Sequence, residues 1–551
     1  MGAFSPRRRS DSQLDRPSHI VFVTPAGATD RTSGGVRAAR DGYASVSMHR
    51  RRPILAALVL AAALAGAVAA SAAADRLPLG APTLTETRTV RTLAPGVTET
   101  EIVRGEANPG ETWVVDAGFT LAPTQAAQTA VKIRTLGLDT TVLAVDVHAP
   151  DSPLPGPVAY LARAGRFATE AAADAAAAGL EAAGVADAQV DYTGDDGTPV
   201  AGGPWRVHVL DVDPRRFRGR VAPVLANGVV RGRATVTAMA PRPRALAAVN
   251  GGYFVIGPAD GTPGDLAGLS VIGGSLASEA VDGRTDLVLP RANGAGATIA
   301  ELSSDLRARS SDGASRLVDG RNRHVGLIRG CGGDGGDRPT DRPLHDVTCT
   351  DGSELVQFTR RFGASTPAGA RVEAVLEAGG GVRRLRSGRG AIPRTGSVLA
   401  GTGDSATWLR AHARAGRRVR VSVRVSSPQG RLALRRGLGV VNGGPRLLRG
   451  GAQAITATAE GFTHPGDPEF YYRFAVRRNP RTMAGVTRAG HLLLVAVMRA
   501  LGARDAVNLD GGGSTTMAVG GAQVTRPSDP TGERPVGDAI AVRARRPGAS
   551  R

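Results

Sequence analysis

From Trp205 onward the apolar runs are short, and almost every one is closed by Gly, Pro, Asn or Asp: WRVHVLDV, ALAAVNGGYF, TDLVLP, ELVQFT, RVRVSVRV, LGVVNGG, HLLLVAV and DAVNLDG. Runs of this length, rich in Val and Leu and bounded by turn formers, read as strands rather than helices. Gly at 74 of 551 residues is nearly twice ordinary usage, and aromatics are only 4%; both favour strands and turns over long helices. One clear helix interrupts them, SATWLRAHARA over 405–415, with Asp404 as its expected N-cap and Gly416 as its stop. The Ser in GTGDSATW therefore reads as a helix-start residue, and no G-x-S-x-G elbow occurs. The fold class expected is α+β, a mixed, sheet-rich domain with few helices.

Three of the strand ends share one design: AVNGGYF, VVNGGPRLLRGG and VNLDGGGSTTM. Each apolar run ends in Asn or Asp and then two or three glycines. Glycine permits positive φ and exposes backbone N–H groups that can cradle an anion. The candidate ligand contacts are therefore Asn250, Gly251 and Gly252; Asn442, Gly443 and Gly444; and Asp510 with Gly511, Gly512 and Gly513. Ser514 and Thr515 are placed to donate to phosphate, while Asn508 reads as structural. A tight turn would explain any one of these motifs alone; three in one chain argue for a shared site.

Upstream, MHRRRPILAALVLAAALAGAVAASAAAD over 48–75 has the basic start, apolar run and small-residue cleavage sites of a secretory signal, expected over 48–74. The alternative is an uncleaved anchor, the one route by which a membrane would be a partner. Residues 1–47, rich in Arg and Ser, read as a disordered leader or a misassigned start, and 544–551 as a basic tail. A β-rich segment is expected over 75–156. Within 157–202, PVAYLARAGRF, TEAAADAAAAGLEAAG and AQVDYTG read as strand, helix and strand, with Gly184 stopping the helix. This small α/β subdomain weakly resembles a SPOR domain, a β-α-β-β-α-β module that binds peptidoglycan glycans; an ordinary α/β subdomain packed on the rest is the other reading.

Cys331 and Cys349 flank the loop GGDGGDRPTDRPLHDVT, and a disulfide is the simplest staple for it in an exported chain. The net charge of +20 is almost wholly arginine, Lys132 being the one lysine, and it is scattered rather than gathered with aromatics. Nucleic acid is thus not an expected partner, and Lys132 lacks a P-loop context. The nine histidines form no H-x-x-H or H-E-x-x-H pair, so no cofactor is expected; Ca²⁺ on Asp334, Asp337 and Asp341 is the residual metal reading.

AVNGGYF, VNGGPRLLRGG, RRNPRTMAGVTRAGHLLLVAV, LGARDAVNLDGGGSTTM and ERPVGDAIAV together resemble, in that order, the motifs of the phosphodiester glycosidase family, over roughly 203–543. The resemblance implies hydrolysis of a sugar-1-phosphodiester at the glycosidic bond, which calls for carboxylates at the anomeric centre. Asp510 is the expected essential carboxylate and Glu279 the second acid, ahead of Asp265 and Glu533; His464 is a candidate acid or base. Arg481 and Arg534 are the phosphate candidates, since guanidinium matches phosphate geometry. The resemblance has one break. After HLLLVAV, family members continue into an Asp-Gly-Arg turn and a helix, whereas Val497 here is followed by MRALGARD and then AVNLDG. That length cannot hold a crossover helix. The strands must be joined differently, or a helix is gone, uncovering apolar sheet. A noncatalytic binder of cell-wall polysaccharide is the alternative this break raises.

Overall fold

The computed structural model describes residues 76–545 apart from 197–200, 241–244, 282, 330–335, 340–347, 464–467 and 496–497. The leader, the signal segment, Cys331, Asp334, Asp341, His464 and the last six residues lie outside the described residues. The expected strands are present. Among the described residues they are distributed over seven sheets, the largest of eight strands.

That large sheet includes, side by side, Val97–Arg104, Trp205–Val212, Leu492–Val495, Met483–Thr487, Ala503–Asn508 and Arg446–Arg449. Val97–Arg104 pairs along its whole length with Trp205–Val212, from Val97 opposite Val212 to Arg104 opposite Trp205. A boundary at residue 203 therefore runs through one sheet: 86–104 belongs to the sheet that carries the NPRT and NLDG motifs. Alternate residues of Leu492–Val495 face two cores, Leu492 and Leu494 on one side, Leu493 and Val495 on the other, as a strand buried on both faces requires.

Leu492–Val495 and Ala503–Asn508 are both antiparallel to Met483–Thr487, which lies between them. The two are therefore parallel, one strand apart, and the crossing is made by residues 496–502, whose described part, Met498–Gly502, is turn. The strands are joined without a helix among the described residues.

Residues 113–192 form a separate four-stranded antiparallel sheet with two helices, Pro123–Thr135 and Glu170–Ala182. The order of elements is β-α-β-β-α-β. A start at 157 cuts this unit in half, because its first strand, Trp113–Thr120, and first helix fall in the segment expected to be β-rich. The second helix is as expected: Thr169 Oγ1 accepts the Ala172 N–H at 3.3 Å, and Gly184 follows at φ +76°. The helix near 405 runs Gly403–His412 with Thr402 at the N-cap position, so Asp404 sits in the first turn, where its charge suits the helix dipole. No helix among the described residues is long and apolar enough to cross a membrane.

Candidate functional site

The three glycine-marked strand ends come from three different sheets and meet. Asn250 closes the strand Ala245–Asn250, Asn442 closes Gly439–Asn442, and Asn508 closes Ala503–Asn508. Asn250 donates from Nδ2 to the Asp510 carbonyl at 2.9 Å, while its Oδ1 accepts from the Thr482 hydroxyl at 2.6 Å and the Thr516 N–H at 3.1 Å. Asn442 Oδ1 accepts the Tyr253 N–H at 2.8 Å. The Tyr253 hydroxyl donates to the Gly444 carbonyl at 2.6 Å and accepts from Asn508 Nδ2 at 2.9 Å.

These amides are at most 2% exposed, and a buried carboxamide is stable only when its donors and acceptors are used. Asn250 and Asn442, expected to touch the ligand, instead hold one loop against the next. Their neighbouring glycines serve the same close packing. A Cβ on Gly251 would lie 2.1 Å from Asp538 Oδ1, and one on Gly252 would lie 2.2 Å from the Asn442 carbonyl oxygen.

Asp538 is thereby brought into the centre. Its Oδ1 accepts the Gly252 N–H at 3.1 Å, its backbone carbonyl accepts the Gly251 N–H at 3.0 Å, and its Oδ2 has no partner. Burial pushes its pKa up to about 7; the Gly252 N–H pulls the other way, and the nearby Asp510 charge adds to the rise. Asp510 is half-buried. Its Oδ1 accepts the Gly511 N–H at 2.9 Å and its own N–H reaches the Gly251 carbonyl at 3.3 Å. Two carboxyl groups in unlike surroundings thus share one junction. The signal for Asp538 was its place in ERPVGDAIAV, a motif already singled out, beside a strand of apolar residues.

Arg481 enters from the other side. Its Nη2 donates to the Phe474 carbonyl and its guanidinium lies over the Phe474 ring, 5.2 Å from the centroid. Burial lowers its pKa to about 10, with Tyr253 and Tyr471 opposing, so it remains a cation at neutral pH. The Pro480 carbonyl accepts the Gly512 N–H at 2.8 Å, and Leu509 N–H reaches the Thr482 carbonyl at 2.8 Å. NPRT and NLDGGG are thus laced together. Gly512, at φ +61°, starts the short 3₁₀ turn Gly512–Ser514. Beyond it, Ser514 Oγ and Thr515 Oγ1 are buried without a partner, as is Thr516 Oγ1.

Other expected residues lie elsewhere. Glu279 accepts the Arg321 N–H and the Arg323 Nε–H, each at 2.7 Å. Arg323 also pairs with Glu354 at 2.5 Å, so Glu279 is committed to a buried ion cluster and does not serve as the second acid. Glu533 receives the Thr237 N–H at 3.0 Å and its hydroxyl at 2.7 Å. Asp265 accepts the Val255 N–H through its backbone carbonyl at 2.7 Å. Arg534 is paired with Asp529 at 2.5 Å, and Gly513 makes room for that carboxylate. Cys349 is buried and is not a free thiol; its expected partner Cys331, like His464, falls outside the described residues. Among the described residues no cluster of His, Cys, Asp and Glu could hold a metal ion.

Beside the junction lies a cleft of about 890 Å³. Arg481, Thr515 and Thr516 line it, as do the apolar side chains of Val207, Leu448 and Val495.

The family model for phosphodiester glycosidases matches residues 370–543. The chain belongs to the phosphodiester glycosidase family. Within the matched span fall VNGGPRLLRGG, NPRT, NLDGGGST and ERPVGDAIAV; AVNGGYF lies before it. The chain is also similar to the crystal structure of a candidate exported protein from Burkholderia pseudomallei K96243. The two are 34% identical, with a TM-score of 0.77 over 85% of this chain and 98% of that one. A hypothetical protein from Synechocystis is 17% identical, with a TM-score of 0.49 over 84% of this chain and 80% of that one. The catalytic domain of zebrafish N-acetylglucosamine-1-phosphodiester α-N-acetylglucosaminidase, auto-inhibited by its pro-peptide, is 14% identical, with a TM-score of 0.28 over 62% of this chain and 79% of that one. No curated protein matches. The Asp510–Asp538 junction joins AVNGGYF, which precedes the matched span, to NLDGGGST and ERPVGDAIAV within it.

Proposed function

We propose that the protein hydrolyses a sugar-1-phosphodiester at the glycosidic bond, outside the cytoplasm in the cell envelope. The observation that carries this reading is the meeting of Asp510 with Asp538, where three loops are laced by buried asparagines and Tyr253 feels the charges of both Asp510 and Arg481. Asp510 is the carboxylate presented to the anomeric carbon, where positive charge develops as the C1–O bond breaks. Phosphate leaves as an anion, so the guanidinium of Arg481 supplies the charge stabilisation that a protonated leaving group would otherwise need. Water supplies the oxygen that ends on C1, and its proton is released to the surrounding carboxylates. Asp538, enclosed behind Gly251 and Gly252, acts as a positioning residue: it fixes the glycine backbone under Asp510 and sets the charge of the pair. Family membership and the basic–apolar segment at 48–74, with a candidate exported protein as a relative, support the reading.

The test is hydrolysis of an N-acetylglucosamine-1-phospho-methyl diester in ¹⁸O water. The label is expected in the sugar and absent from the phosphomonoester, and turnover should fall at least a hundredfold in Asp510→Asn. Label in the phosphate would mean cleavage at phosphorus and would overturn the proposal. Binding of the diester without turnover would instead favour a noncatalytic polysaccharide binder.

A further inference from the structure

The cleft beside the junction is chemically two-sided. One face is the outer side of the large sheet: Trp205, Val207, Leu448, Met483, Val495 and Met498 all line it and belong to one apolar cluster. Met498, in the turn before Ala503–Asn508, packs on this side. The opposite end carries donors with nothing to bind. Thr515 Oγ1 and Thr516 Oγ1, on residues 6% and 1% exposed, have no hydrogen-bond partner; at the rim of the apolar face, Trp205 Nε1 and Arg478 Nη1, whose side chains stack at 5.3 Å, are also unpaired. All four residues line the cleft together with Arg481.

Buried hydroxyls and N–H groups left unpaired are costly, so this end is built for an acceptor that arrives with the ligand. Unpaired hydroxyls in a cleft that Arg481 also lines suit an anion such as a phosphodiester. The apolar wall has the reverse requirement. Sugar hydroxyls placed against Val207, Leu448 and Val495 would lose their water and gain no partner, whereas hydrocarbon there is favoured in proportion to the area covered. The volume is within the range of sites that enclose a whole small ligand.

We propose that this cleft receives the second alcohol of the phosphodiester, and that this alcohol is an apolar one, an alkyl or prenyl chain, with its phosphate at Thr515, Thr516 and Arg481 and its hydrocarbon along the sheet. The inference rests on the sugar-1-phosphodiester reading above for what the phosphate joins. It adds that the substrate is a lipid-linked sugar phosphate rather than one joined to a second sugar or a polyol.

The full chain is to be titrated with butyl, octyl and dodecyl phosphate below their micellar concentrations, followed by tryptophan fluorescence. Affinity is expected to rise about two- to fourfold per added methylene. That slope should flatten in the near-isosteric Val207→Thr and Met498→Gln, while Thr515→Val weakens every chain length alike. Turnover is then compared for methyl and dodecyl diesters of N-acetylglucosamine 1-phosphate, with kcat/KM expected at least tenfold higher for dodecyl. Equal turnover of the two diesters, with no chain-length slope in binding, overturns this inference and leaves the proposed activity standing. A steep slope that survives both wall variants also overturns it, by placing the hydrocarbon elsewhere. A steep slope lost in the wall variants, with neither diester hydrolysed, upholds the apolar site and removes the proposed activity instead.

Discussion

Asp538 Oδ1 lies 3.1 Å from the Gly252 nitrogen and would lie 2.1 Å from a methyl group placed on Gly251. The same carboxylate oxygen is thus held by one glycine and admitted by the other. Gly251→Ala should therefore destabilise the protein by about 1–3 kcal/mol through overpacking against a buried group. The cause can be isolated with a double-mutant cycle: in an Asp538→Ala background, where the crowded oxygen is gone, the penalty should shrink by more than half. Equal penalties in both backgrounds, measured by urea unfolding, would show that the strain lies somewhere other than this contact.

The 113–192 unit is tied to the NPRT segment by charge. Arg477 reaches Asp196 at 2.6 Å and Asp191 at 3.2 Å, and Arg163 joins Asp196 to Asp116 at 2.5 and 2.7 Å. Arg477→Met keeps the stem and removes the charge, leaving two mostly buried carboxylates short of a partner. Loss of one member of such a cluster costs about 3–5 kcal/mol. Amide exchange should quicken in 113–192 and in 468–482, more than in the Val419–Ser427 strand. Uniform exchange across all three regions would show that the cluster does not fasten the unit.

What the sequence shows and what it withholds divide along chain distance. Strand ends such as Asn442-Gly443-Gly444 are legible because glycine punctuation is a local signal. The role of Asn250 is not, because its partners Thr482, Asp510 and Thr516 lie more than two hundred residues away, and only the fold reveals that they exhaust its amide. Asp538 was hidden for a related reason: an acid before AIAV looks like a strand edge until Gly251 and Gly252 are packed against it. The helix Pro123–Thr135 did carry a local signal, a proline in its first turn and buried Ala126, Ala130 and Ile133 at helical spacing. Its polar remainder obscures that pattern, so the β-α-β-β-α-β unit is legible in the sequence only from its second half.

Tyr253 is the pin between the second and third glycine motifs, through the Gly444 carbonyl and the Asn508 amide. Tyr253→Phe preserves the ring contacts with Phe462 and Phe474 and removes only the hydroxyl. The Gly444 carbonyl would keep only the longer bond from Asn508 Nδ2 at 3.3 Å, and Asn508 would lose its hydroxyl acceptor, so the loss should be about 1 kcal/mol. Proton exchange at Gly444 and Asn508 should rise locally. A loss below 0.5 kcal/mol, taken as the size of an ordinary surface change, would mean that the hydroxyl contributes little to joining the loops.

The Asp538 carboxyl makes stability depend on pH in a defined direction. Its folded pKa of about 7 stands above the ordinary aspartate value because burial penalises the charged form, with the Gly252 N–H opposing and Asp510 adding to the rise. Raised in the folded state, the group binds a proton in the native protein that the unfolded chain has already released between about pH 4 and pH 7. The stability linked to that proton is complete below about pH 4 and is lost as pH climbs through about 7. Its full size is on the order of 4 kcal/mol at 1.36 kcal/mol per pKa unit. Asp538→Asn stays neutral throughout and should therefore gain on the unaltered protein as pH rises from 5 to 8, whatever its offset at pH 5. Urea unfolding of both proteins at those two values reads the difference directly. Parallel losses over that interval would show that Asp538 does not take up the proton on folding.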